Sequence, residues 1–143
     1  MTKHIYIFIT LFLFACGTTN AQVTGEWQFA QLNNIDGTNA FNGVEGYFNL
    51  VTCNNNEYIL LKLINHNTFT VKAAWSNFLI STDNEKLTSP VVQDSVTILP
   101  NQEIEGDCAV NDGKLVLKLT DFGTDKYNFQ AYEPMNFDFR IIR

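Results

Sequence analysis

The sequence predicts an all-β domain, a single antiparallel β-sandwich of about 7–9 strands. Three observations carry this. Apolar residues recur with a period of two: Phe69, Val71, Ala73 and Trp75 alternate with Thr70, Lys72, Ala74 and Ser76, as in a strand with one face on a core. Turn-forming clusters such as Asn54-Asn55-Asn56, Pro100-Asn101 and Asn111-Asp112-Gly113 punctuate these runs at short intervals. No stretch carries the three-to-four spacing of an amphipathic helix.

The elements follow in order. Residues 1–21 read as an export signal: Lys3 precedes an apolar run from Ile5 to Ala15, then a small polar patch. As a helix that run would rise only about 16 Å, half of a hydrocarbon core, so it is too short for a membrane span. Cleavage after Ala15 would leave Cys16 as a lipidated first residue, because Leu13-Phe14-Ala15-Cys16 resembles a bacterial lipobox; cleavage after Ala21 would leave Gln22. Residues 22–143 then form the sandwich domain.

Within that domain, Gly25 to Ala30 is a strand carrying Trp27 and Phe29, and residues 33–43 are a polar loop. Gly46 to Cys53 is a strand that turns through Asn54-Asn55-Asn56. Tyr58 to Ile64 is apolar on both faces and reads as a central strand. Asn65-His66-Asn67-Thr68 reads as a hairpin loop joining it to the strand beginning at Phe69, since Asn tolerates positive φ. Val91 to Leu99 is a strand stopped by Pro100-Asn101. Ile104 to Val110 and Lys114 to Leu119 are strands joined by Asn111-Asp112-Gly113. Tyr127 to Ala131 and Asn136 to Ile142 complete the set, with Phe137, Phe139 and Ile141 on one face.

The chain of 143 residues has 9 basic and 15 acidic residues, a net charge of −6. Without a basic stripe, this balance argues against nucleic acid and against anionic membrane surfaces as partners. An exported chain meets an oxidising compartment, where Cys53 and Cys108 are expected to pair as a structural disulfide.

Catalytic residues are sparse. His4 leaves with the signal, so His66 is the remaining imidazole, placed in a turn. No Gly-x-Ser-x-Gly elbow occurs, and one His rules out most zinc sites. Asp121-Phe122-Gly123 matches a kinase metal motif in letters only and reads as a turn after a strand. Asp107, Asn111 and Asp112 could offer oxygens to calcium, but their spacing is that of a hairpin turn. Paired carboxylates distant in sequence would suit a glycosidase, yet no feature singles out a pair. Trp75 belongs to the core by its phase, whereas Trp27 and Tyr132 are less constrained: the core is the expected place for most of these aromatics, and a carbohydrate-stacking platform is the alternative.

Two resemblances add to this. Residues 61–72, with their strand, Asn-rich turn and Val-containing strand, resemble immunoglobulin-like sandwich modules of exported Bacteroidota proteins, as does Val96-Thr97-Ile98-Leu99-Pro100 before Ile104. Sharing an architecture implies no site. In the same proteins an Asp-Ser/Thr-apolar pattern takes O-glycans, and Asp94-Ser95-Val96 is similar to it, which makes Ser95 a candidate. Gly25-Glu26-Trp27 resembles the opening of lipocalin-like domains, which implies the alternative of a closed barrel with an apolar cavity.

The sequence therefore leads to an exported cell-envelope sandwich, in the periplasm, on the outer membrane or outside the cell. It is expected to be non-enzymatic, with a binding or accessory role toward a protein or glycan. No cofactor or metal is expected, and membrane contact only through a lipid on Cys16. The alternatives are a lipocalin-like carrier of an apolar ligand and a carboxylate-dependent enzyme.

Overall fold

The computed structural model describes residues 25–32, 37–88, 94–109 and 114–142. The export signal, Cys16, residues 91–93 and the Asn111-Asp112-Gly113 turn lie outside them. Ten strands are described in chain order: β1 (Gln28–Phe29), β2 (Ala40–Phe41), β3 (Val44–Cys53), β4 (Asn56–Asn65), β5 (Val71–Ser81), β6 (Lys86–Thr88), β7 (Asp94–Ile98), β8 (Glu103–Glu105), β9 (Val116–Lys118) and β10 (Phe129–Ile141). A 3-10 turn, Leu119–Phe122, follows β9 and ends at Gly123, whose φ of 72° suits glycine.

These strands make two antiparallel sheets packed face to face, not a closed barrel. The lipocalin-like alternative is corrected on this point. In the first sheet the β3–β4 hairpin is central; β1 and β2 lie end to end along β3, and β8 and β9 lie end to end along β4. In the second sheet β5 is central, with β10 along one side and β6 and β7 end to end along the other.

Local chemistry explains the central hairpin. Asn54 and Asn55 both adopt positive φ, the conformation a two-residue hairpin turn needs. Val44 and Phe48 from β3, with Ile59, Leu61 and Leu63 from β4, then face Val71, Ala73, Trp75, Leu79, Ile98 and Tyr132 across the sandwich. The reverse face of β3 and β4 holds a second, smaller core of Val51, Cys53, Leu60 and Val116, covered by Trp27, Tyr58 and Cys108. Two cores account for the strand that is apolar on both sides.

The connection after β4 corrects the expected hairpin. Residues 66–70 carry the chain from the first sheet to the second, so β4 and β5 are not neighbours. The side chain of Asn65, fully buried, holds this crossing: its amide donates to the carbonyls of Phe69 (3.0 Å) and Leu99 (2.9 Å), and its oxygen accepts from the Asn67 backbone (3.0 Å). The Asn cluster acts here through side-chain hydrogen bonds that stand in for a ladder, not through tolerance of positive φ.

For the second expected hairpin, whose turn lies outside the described residues, the described strands β8 and β9 pair with β4 and not with each other. Leu61 is the hinge of this arrangement: its N–H donates to Leu115 and its carbonyl accepts from Gly106, both at 2.8 Å. The chain thus leaves the sheet edge at Gly106 and rejoins it at Leu115. A β-carbon on Gly106 would lie 2.1 Å from the Leu115 carbonyl oxygen, so only glycine fits. Gly106→Ala is expected to destabilise the domain by about 2–3 kcal/mol, because backbone, not a flexible side chain, must move. Urea unfolding of the two proteins checks this.

The last two predicted strands are one, β10. Its register against β5 slips between Met135 and Asp138. Glu133 and Met135 oppose Phe78 and Ser76, while Asp138 and Arg140 oppose Ala74 and Lys72. The slip reverses the inward phase, so Tyr132 and Pro134 before it, and Phe137 and Phe139 after it, all reach the core.

Candidate functional site

The outer face of the first sheet gathers the most varied exposed chemistry. Strand register sets one cross-strand row of Phe29, Tyr47, Lys62 and Glu105, and beside it a row of Glu45, Ile64 and Glu103. With strands about 4.8 Å apart, the first row runs for about 14 Å. In the first row aromatic rings stand at one end and the Glu105 carboxylate at the other.

Phe29 is 72% exposed, although apolar, and its ring lies 5.7 Å from that of Tyr47 at an angle of 51°. The Tyr47 hydroxyl donates to Glu45 Oε2 at 2.9 Å, and His66 Nε2 approaches the same oxygen at 3.2 Å. The Tyr47 hydrogen bond, then the His66 contact, holds the Glu45 carboxyl below the usual range. That bond to Glu45, then burial, raises the Tyr47 phenol. Lys62 sits between Glu105 (3.1 Å) and Glu103 (3.4 Å), with its ammonium 4.2 Å from the centre of the Trp27 ring. Burial pulls the Lys62 pKa down, but the two carboxylates outweigh it and hold the ammonium above its ordinary value.

Glu45 and Lys62 on this face are thus each held by two polar partners. A tilted aromatic pair beside oriented carboxylates can stack on an apolar C–H face while accepting hydrogen bonds from hydroxyls. His66, in contact with a carboxylate, has no nucleophilic side chain against it among the described contacts.

Inside the sandwich lies a separate polar cluster. Asn77 Oδ1 accepts from Trp75 Nε1 (2.8 Å) and from the Tyr132 hydroxyl (2.7 Å), and Asn77 Nδ2 donates to Asp94 Oδ2. All four residues are buried. Burial first, and the Asp94 charge second, push the Tyr132 phenol well above its ordinary pKa. An apolar gap beside the cluster, bordered by Leu61, Trp75, Tyr132 and Phe137, has a volume of about 10 Å³, room for no more than about one water molecule.

The residues singled out in sequence fall in different places. Cys53 and Cys108 are bonded, with Cα atoms 6.0 Å apart, within the ordinary span. Trp75 is buried in the core as its phase indicated. Tyr132 is also buried, which removes it from any surface platform; its partner is Asn77. Trp27 is half-buried against the smaller core and under Lys62, so it supports the platform rather than presenting a free face. Ser95 lies mid-strand in β7, half-exposed on the outer face of the second sheet, while the adjacent Asp94 is buried. Asp107 is exposed and caps the Ala109 N–H; Asn111 and Asp112 lie outside the described residues, as does Cys16.

Sequence reading did not single out Phe29, Tyr47, Glu45 or Lys62. The row depends on register between β1, β3, β4 and β8, which period-two patterning leaves open. Among the described residues no group of three or more His, Cys, Asp or Glu could hold a metal ion. No described helix is long and apolar enough to cross a membrane. No family model, curated protein or solved structure matches this chain.

Proposed function

We propose that this is an exported cell-envelope protein with a non-enzymatic binding role, and that its partner is a glycan held on the outer face of the first sheet. The observation that supports this is Phe29, exposed on Tyr47 at the head of a row of fixed charged groups. An exposed, ring-paired aromatic beside preorganised hydrogen-bonding groups suits a ligand with one apolar face and many hydroxyls. In this reading the sandwich is immunoglobulin-like in architecture, two facing antiparallel sheets, without the strand order of antibody domains. The signal directs export, and the mature chain starts at Cys16 with a lipid or at Gln22 without one. The mass of the mature N-terminus distinguishes these starts.

Affinity electrophoresis through gels containing soluble polysaccharides tests the binding role. The wild-type protein should be retarded by at least one of them, and Phe29→Ala should lose about fivefold or more of that affinity, the scale of one lost aromatic contact. No retardation across neutral and acidic polysaccharides, or retardation unaffected by Phe29→Ala, rejects the site. Turnover of any tested glycan, lost on changing Glu45, would instead establish an enzyme.

A further inference from the structure

The outer face of the second sheet carries a feature that the glycan reading does not use. Lys72, Ala74, Ser95, Asp138 and Arg140 line a depression of about 250 Å³. Register explains its shape. Arg140 and Lys72 stand directly opposite each other in one cross-strand row, with Thr97 beyond. Asp138, Ala74 and Ser95 make the adjacent row. Two small side chains form the floor, and long charged ones form the walls. The slip in β10 just before Asp138 is what turns Asp138 and Arg140 outward here.

The charges are unusual for this chain. Its net charge is −6, yet two cations face each other across a strand pair, where like charges destabilise. Asp138 offsets part of this by accepting from Arg140 Nε at 3.0 Å. That bond uses one of the five donors of a guanidinium. Among the described residues Lys72 makes no ion pair. An anion between the two cations would remove the repulsion, take up the planar fork of Arg140 and the point charge of Lys72, and reach the Ser95 hydroxyl.

We propose that this depression is a binding site for a small molecule bearing an oxyanion, a carboxylate or a phosphate, with a body no larger than a monosaccharide. The volume sets the size limit, since it is below that of pockets for drug-sized ligands. The paired cations set the charge. Nothing in this site depends on the glycan face of the first sheet, so either can fail alone.

Titration of the isotope-labelled mature protein, followed by amide NMR, tests it with three probes: inorganic phosphate, glucuronate and glucose. Phosphate, glucuronate or both should give saturable shifts confined to Lys72, Ala74, Ser95 and Arg140, and glucose none. Binding of phosphate alone would assign a phosphate-type ligand, and of glucuronate alone a carboxylate sugar. Lys72→Ala is expected to weaken binding about tenfold, as loss of a charge-assisted contact does. Asp138→Asn should tighten it about threefold by releasing Arg140. Ala74→Leu fills the floor without changing charge and should abolish binding; its amide spectrum reports that the sandwich is intact. Shifts spread over Lys62, Lys86 and Lys126, or shifts that survive Ala74→Leu, would reduce the effect to diffuse charge attraction and overturn the site. The absence of shifts with both anions overturns it outright.

Discussion

Replacing both bridged cysteines, Cys53→Ala with Cys108→Ala, is expected to cost about 4 kcal/mol of stability, the value the chain-entropy relation gives for a loop of this length. The bond joins residues 55 apart in sequence. Without it the unfolded chain regains the freedom of that loop. The urea midpoint should fall by roughly 2 M for a domain of this size. A second consequence is local. Cys108 belongs to the segment that leaves the sheet at Gly106 and returns at Leu115, and with Trp27 and Tyr58 it covers Val51, Leu60 and Val116. Hydrogen exchange at the Gly106 and Leu61 amides should therefore accelerate in the variant before global unfolding. A loss below about 1 kcal/mol would show that the unfolded chain already holds these ends together.

Asn77→Ala is expected to be somewhat less damaging, at about 2–4 kcal/mol. The substitution removes the oxygen that accepts from both the Trp75 N–H and the Tyr132 hydroxyl, and one donor to the Asp94 carboxyl, all of them buried. Losing a buried hydrogen-bond partner costs about 1–3 kcal/mol, and two donors share this acceptor. The same cluster sets an alkaline limit. The Tyr132 phenol is raised above its ordinary value of 10.0 in the folded protein. Below pH 10 the phenol is neutral in both states and this contribution is fully present. As pH rises past 10, the unfolded chain ionises first, and stability falls until the folded pKa is reached. Tyr132→Phe should flatten that alkaline decline in urea midpoint, while lowering stability at neutral pH through the lost bond to Asn77. An unchanged slope between pH 9.5 and 11 would place the alkaline transition elsewhere.

How much of this was legible before the structure depends on what each signal encodes. The inward phase of Val71, Ala73 and Trp75 is a property of one strand, and the structure keeps it. The turn at Asn54 and Asn55 is likewise local, because positive φ is a property of those residues. Asn65 misled for the opposite reason. An Asn favours a tight turn by its own backbone, but here its side chain reaches carbonyls at Phe69 and Leu99, the latter 34 residues away. Tyr132 and Pro134 are inward at even positions, Phe137 and Phe139 at odd ones. The expected two strands are one, with register slips at Phe129/Ala131 and at Met135/Asp138.

Legible in the chain alone are the class of the domain, the expected pairing of Cys53 with Cys108 as a staple, and the burial of Trp75. These follow from alternation, turn chemistry and cysteine count, each read within a few residues or by elimination. Only the tertiary structure decided which strands are neighbours, that β8 and β9 share one edge of β4, and that Phe29 meets Tyr47 while Arg140 meets Lys72. Both surface sites lie across strands rather than along them. Register between strands is settled by packing of the whole sandwich, and a one-residue shift would send every one of these side chains to the other face.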